Sequence, residues 1–135
     1  MSTIQTTTVK ANTLLHSDGS TTTQPSIPAL DKRMAKAWVN FNGTGTVAIN
    51  SAYNVSSITD NGVGKYSVNF GTAMTTANYI FVLGGRDENN GMGIPTFQAD
   101  PTRSISASTL PVIYNYPPNL AYYDGTHFCV VIMEA

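Results

Sequence analysis

The stretch "NVSSITDNGVGKYSVNF", residues 54–70, decides the fold. It holds an Asn-Gly step, Asn61-Gly62, directly after Asp60 and between two strand-like runs. Both residues of such a step tolerate positive φ, so the stretch predicts a β-hairpin turning at Asp60-Asn61-Gly62. In the second run Tyr66, Val68 and Phe70 recur at period two and therefore share one face.

The same period extends outward in both directions. In "AKAWVNFNGTGTVAIN", residues 35–50, Ala35, Ala37, Val39 and Phe41 fall on one face, with Lys36, Trp38 and Asn40 on the other. "NGTG" at 42–45 is predicted as a turn and "TVAIN" as the next strand. "NYIFVLGG" at 78–85 is apolar on both faces, which predicts a central strand, and "RDENNGMG" at 86–93 an exposed loop. "RSISAST" (103–109) and "LPVIYNY" (110–116) read as further strands, with Pro111 marking an edge or a bend. "THFCVVIME" (126–134) reads as a closing strand, apolar on both faces. Seven or eight short strands with hardly any helix predict an all-β, antiparallel β-sandwich of jelly-roll or immunoglobulin-like size over residues 34–135. Within "ALDKRMAKA" (29–37), Asp31 either caps a short helical turn through Lys32, Arg33 and Met34 or belongs to a connector.

Residues 1–33 read differently. Only Lys10 and Asp18 carry charge among the first thirty, Ser and Thr dominate, and the apolar residues are the sparse Ile4, Val9, Leu14, Leu15, Ile27 and Leu30. A free disordered tail is normally richer in charge. The segment is therefore expected to be an extended N-terminal arm whose apolar residues anchor it to another polypeptide, adding a strand to a neighbour's sheet edge.

Composition narrows the function. Charged residues make up 11% of the 135 residues, less than half the usual quarter. Net charge is −1 and no basic cluster exceeds Lys32-Arg33, which argues against a nucleic-acid partner or an anionic membrane surface. No apolar run approaches the roughly 18 residues of a membrane span, so no membrane insertion is expected. "MSTIQTTTVK" lacks the apolar centre of a secretory signal, and synthesis in a cytoplasm is expected. Low charge leaves neutral surface that is more easily buried than solvated, so a homotrimer is expected.

Residues with chemical potential are few. His16 and His127 have no ligand-spaced partner, and no serine sits in a nucleophile elbow. The lone Cys129 reads as a small buried apolar residue. "NGTGT" lacks the third glycine and the βαβ setting of a dinucleotide site. Asp87, Asn89 and Gly91 have the wrong register for a calcium loop, with no bidentate glutamate after them. No catalytic residue, metal or cofactor is expected, and the chain is read as a non-enzyme. The stretch with binding potential is "YNYPPNLAYYDGTH", 114–127, where Tyr114, Tyr116, Tyr122 and Tyr123 surround Pro117-Pro118. Flat, amphipathic tyrosine rings suit a sugar, a subunit contact or intramolecular packing. Trp38, opposite the core face of its strand, is a further candidate for a surface or subunit contact.

"AKAWVNFNGTGTVAIN", "NVSSITDNGVGKYSVNF" and "TAMTTANYIFV" together resemble a module of tail-fibre and related virion proteins of tailed bacteriophages, cyanophages and marine phages included. The resemblance spans residues 34–83, and the leader "STIQTTTVKANTLLHSDGS" is similar to segments that precede the module. It implies a non-enzymatic virion protein, commonly trimeric in fibres, with other tail or capsid proteins as partners. The expectation is a short tail-fibre or tail-tip protein whose sandwich meets a glycan or protein receptor on the host. A capsid-decoration (cement) or head-fibre protein and a free carbohydrate-binding module are the alternatives.

Overall fold

Two β-sheets face each other across an aromatic and aliphatic core in the computed structural model, which describes residues 34–86, 96–116 and 121–134. The strands are β1 (Ala37–Asn42), β2 (Ala48–Tyr53), β3 (Val55–Asp60), β4 (Lys65–Phe70), β5 (Ile80–Gly85), β6 (Thr96–Ala99), β7 (Thr109–Tyr116), β8 (Ala121–Tyr122) and β9 (Phe128–Met133). One sheet runs β2-β1-β9-β5; the other runs β3-β4-β7-β6, with β8 also pairing β7. Every pairing is antiparallel. The fold is the antiparallel sandwich that the alternating runs predict. Residues 1–33, with the anchor residues Ile4, Val9, Leu14, Leu15, Ile27 and Leu30, lie outside the described residues, as do His16, Asp31 and 87–95. Residues 34–36 lead into β1 without helix.

The core follows the period of two. Val39 and Phe41 of β1, Tyr66 and Val68 of β4, Leu110 and Val112 of β7, and Phe128, Val130 and Ile132 of β9 are fully or almost fully buried. The β3–β4 hairpin forms in the stretch that predicts it but reverses over Gly62–Val63–Gly64: Asn61 N donates to Lys65 O, and Lys65 N donates to Gly62 O. The positive φ values fall on Gly62 (+111) and Gly64 (+65) and not on Asn61, while the Gly62 amide donates to the Asp60 carboxylate at 2.8 Å.

Four expectations need correction. Residues 78–85 do not form a central strand. β9 takes that place between β1 and β5, leaving β5 at the sheet edge with Phe81 and Leu83 packed on the core and Ile80 and Val82 exposed. Cys129 is only half-buried, because the alternation that sends Phe128 and Val130 inward turns it outward. Residues 103–108 are not a strand. Ser106 Oγ accepts from the Ser108 and Thr109 amides and so holds the backbone in a local turn.

Pro111, finally, lies inside a paired strand, between β4 and β6. Its carbonyl accepts from the Asp100 amide at 3.0 Å, so its nitrogen faces the same side, one residue beyond the end of β6. The Asp100 carbonyl, which a non-proline residue there would engage, instead accepts from Arg103 N at 3.3 Å in a turn. That turn is closed by Thr102 N and Oγ1 donating to the Asp100 carboxylate.

Gly64 immediately precedes β4 and marks the point along β7 where pairing passes from β4 to β8. Its carbonyl accepts from Tyr114 N, and Tyr123 N donates to Tyr114 O. A Cβ on Gly64 would lie 2.6–2.8 Å from backbone atoms of Tyr114 and Tyr123. Gly45 has nearly the same φ, +63 against +65, but open space around it. Gly64→Ala is therefore expected to destabilise the fold by roughly 3 kcal/mol and Gly45→Ala by about 1 kcal/mol, since only the first adds a backbone collision to the left-handed strain. Urea unfolding of the two variants beside the parent measures the difference; equal losses would mean that the close approach at Gly64 is absent.

Candidate functional site

Among the described residues, the outer face of the β2-β1-β9-β5 sheet carries several of the large apolar side chains left exposed. Register places them in one row. Trp38 pairs with Tyr53 on one side and Val131 on the other, and Val131 pairs with Val82. The row thus crosses all four strands. Tyr53 is 49% exposed, Trp38 38% and Val82 56%. Beside it Met133 pairs with Ile80, itself 53% exposed. Single exposed apolar residues are ordinary on a protein surface; a contiguous row is the mark of a contact surface.

The adjacent row, Ser51, Asn40, Cys129 and Gly84, is small and polar. Asn40 organises it: its Nδ2 donates to His127 Nε2 at 2.8 Å and to Cys129 Sγ at 3.2 Å, while its Oδ1 accepts from Asn50 Nδ2 at 2.8 Å. At the Tyr53 end of the apolar row a cleft of about 430 Å³ opens between Lys36, Asn54, Thr72 and Glu134. Asn54 braces it in a left-handed conformation (φ 52), donating to the carbonyls of Lys36 and Thr72 and accepting from the Thr72 amide. The Glu134 carboxylate accepts from the Thr75 amide.

The opposite sheet is different. On β7 both faces are buried, Leu110, Val112 and Tyr114 toward the core and Ile113 and Asn115 away from it. Ser67, on the outer side of β4, accepts from Asn61 Nδ2 and the Arg103 guanidinium.

The four tyrosines do not form a common platform. Tyr114 enters the core, its ring 4.9 Å from Phe128 and its hydroxyl donating to the Arg86 carbonyl. Tyr123 packs against the same cluster and Tyr116 is half-buried at the end of β7. Tyr122 alone of the four is exposed, with the Lys65 ammonium 4.3 Å from its ring centroid. Trp38 is on the surface, as its place in the alternation predicts. Tyr53, Ile80, Val82, Val131 and Met133 escaped the sequence reading. The signal for Ile80, Val82, Val131 and Met133 is the second apolar face of "NYIFVLGG" and "HFCVVIM", which reads as buried in sequence and is an exposed row in the structure; Tyr53 lies outside both stretches.

Tyr66 joins the sheets below this surface. Its hydroxyl donates to Asp124 Oδ1 at 2.6 Å, and the same oxygen accepts from the Gly64 amide at 2.8 Å. Burial, then the hydrogen bond and negative charge of Asp124, push the Tyr66 hydroxyl well above the ordinary tyrosine range. Burial pushes Tyr79 up to about 12 from 10.0. Among the described residues no cluster of three or more histidine, cysteine, aspartate or glutamate side chains is placed to hold a metal ion. No helix among them is long and apolar enough to cross a membrane.

No protein-family model and no curated protein matches the chain. Among solved structures it is similar to the phiAB6 tailspike in complex with three-repeated oligosaccharides of Acinetobacter baumannii surface polysaccharide, with a TM-score of 0.48 and 16% identity. The match covers 98% of this chain and 30% of that one, so the chain spans less than a third of the tailspike chain.

A tyrosine whose hydroxyl is held protonated by the fold stabilises the native state below the unfolded value near 10 and loses that contribution as pH rises through the folded value. Stability is therefore expected to decline from pH 10 upward, with Tyr79 ionising near pH 12 in the native protein. Tyr66→Phe is expected to cost about 2 kcal/mol at pH 7, because it removes the donor to a carboxylate, and to flatten the alkaline decline. Tyrosinate absorbance and chemical unfolding at stepped pH read both effects; an unchanged alkaline slope in Tyr66→Phe would contradict the account.

Proposed function

We infer that the chain is a structural component of a bacteriophage virion: a short tail-fibre or tail-tip protein whose β-sandwich body faces the host and whose N-terminal arm attaches it to the particle. The observation that carries this reading is the exposed row Tyr53–Trp38–Val131–Val82. A solitary soluble domain gains nothing from large apolar side chains placed across every strand of one sheet face, whereas an assembled subunit buries them. The resemblance of residues 34–83 to a tailed-phage virion module supplies the kind of assembly. Low charge over the chain fits a surface made to lie against other protein.

In this reading the chain carries out no chemical step. The body contributes contact area, and the arm contributes main-chain hydrogen bonds to a neighbour. Receptor contact falls to residues 84–127, outside the stretch that resembles the module. Glycan recognition by Tyr114, Tyr116, Tyr122 and Tyr123 acting together is disfavoured by the burial of Tyr114.

Gold-labelled antibody to residues 84–127, applied to purified particles, is expected to mark the tail. Label over the head alone would move the protein to capsid decoration, and particles without label would overturn the virion reading. Deleting residues 1–33 is expected to abolish incorporation while the remaining body keeps its β-sheet circular dichroism. Full incorporation of the truncated chain would remove the arm from the account.

A further inference from the structure

The apolar row ends at β5, which among the described residues is a sheet edge of an unusual kind. Its sequence, "IFVLGG", has no charged residue and no proline, and residues 71–85 as a whole carry no charge. Exposed edges are normally blunted by lysine, proline, a bulge or a covering segment, because unpaired backbone groups accept another strand. β2, at the other edge of the same sheet, carries Asn50 and Ser51 and a register shift opposite Asn40/Phe41. β5 pairs with β9 in unbroken register from Ile80 to Gly85.

The direction of its backbone groups follows from one bond. Arg86 N donates to His127 O, which sets Arg86 and, by alternation, Gly84, Val82 and Ile80 as the residues hydrogen-bonded to β9. The amides and carbonyls of Phe81, Leu83 and Gly85 therefore point away from the sheet.

We propose that β5 pairs with β5 of a second copy of this chain, antiparallel about a two-fold axis at Val82, joining the two four-stranded sheets into one of eight. Side-chain parity restricts the register. Directly opposed residues share a face, so outward residues must oppose outward residues, and single-residue slips are barred. With Val82 opposite Val82, Phe81 and Leu83 of the two copies exchange backbone hydrogen bonds. The apolar row then continues unbroken as Tyr53–Trp38–Val131–Val82 and back through the partner. Shifting the axis to Leu83 sets Val82 against Gly84 and interrupts the row; shifting it to Phe81 leaves only Ile80, Phe81 and Val82 of β5 paired with β5. The near-neutral chain brings little repulsion to the encounter. The pairing does not depend on the virion assignment and stands or falls separately from it; it puts a two-fold pair in place of the homotrimer that low charge alone suggests.

The test uses the full chain. Sedimentation equilibrium is expected to give twice the mass of one chain, and Val82→Lys to return it to the single-chain mass with unchanged circular dichroism, since Val82 is exposed and its replacement leaves the core intact. Val82→Cys in a Cys129→Ser background reads the register. Opposed residues of a non-hydrogen-bonded antiparallel pair have Cα atoms about 4.5 Å apart, within disulfide reach. Most of that variant is therefore expected to run as a disulfide dimer on a non-reducing gel, and a Ser51→Cys control in the same background is not. A monomeric parent, a trimer, a dimer untouched by Val82→Lys, or cross-linking at Ser51 equal to that at Val82 would each overturn the proposal.

Discussion

Tyr66 is the side chain on which the two sheets depend. It rises from β4 into a cluster with Phe41 and Phe128 of the facing sheet, at centroid separations of 5.3 and 5.5 Å, and Phe128 in turn stacks on Phe97 at 4.8 Å. Rings in such tilted and edge-on contacts contribute beyond the area they bury. A tyrosine in this position needs a partner for its hydroxyl, and Asp124 supplies one while also holding the Gly64 amide. Gly43 leaves room for it: a Cβ there would come within 2.3 Å of the hydroxyl oxygen. Gly43 N also donates to the Gly125 carbonyl, so the β1–β2 and β8–β9 connections close over the same ring. One end of the sandwich is thereby defined by a small set of polar bonds around the Tyr66 hydroxyl, set in an aromatic cluster.

With the interior settled in this way, the two outer faces are free to diverge. The outer face at β7 is buried, whereas the face of the β2-β1-β9-β5 sheet presents tryptophan, tyrosine, valine and isoleucine to solvent. That asymmetry is what the proposed contact surface would require of one face and not of the other. Register fixes the spacing of the row along the backbone. The Asn40 network beside the row has a similar effect, since its amide is committed to His127, Cys129 and Asn50.

Much of this was legible in the sequence, and the misses have physical causes. Tyr66, Val68 and Phe70, and Val39 and Phe41, announced their burial through strict alternation, and Asn61-Gly62 announced the hairpin, though not the residues over which it reverses. Strand order was not legible, because pairing is non-local and period two says nothing about which neighbour a strand takes. For that reason "NYIFVLGG" reads as a central strand: an apolar outer face gives the same pattern whether it is covered or exposed. Residues 103–108 misled because the β propensity of Ile105 was outweighed by Ser106 accepting from the Ser108 and Thr109 amides. The tyrosines of 114–127 cluster in sequence, yet strand alternation and the turn after β8 send them to different environments.

Pro111 has a consequence for how β6 finds its place. A strand of four residues has few bonds with which to choose among offsets, and neighbouring offsets differing by two residues preserve the inward and outward faces. Slipping β6 by two would bring the carbonyl of Gln98 or Thr102 opposite a nitrogen with no hydrogen to give. An acceptor stranded in that way costs about 1–3 kcal/mol, enough to reject the wrong offset. The imino acid thus works as a ruler mark on β7, reading off where its neighbour must stop and the Asp100–Arg103 turn must begin.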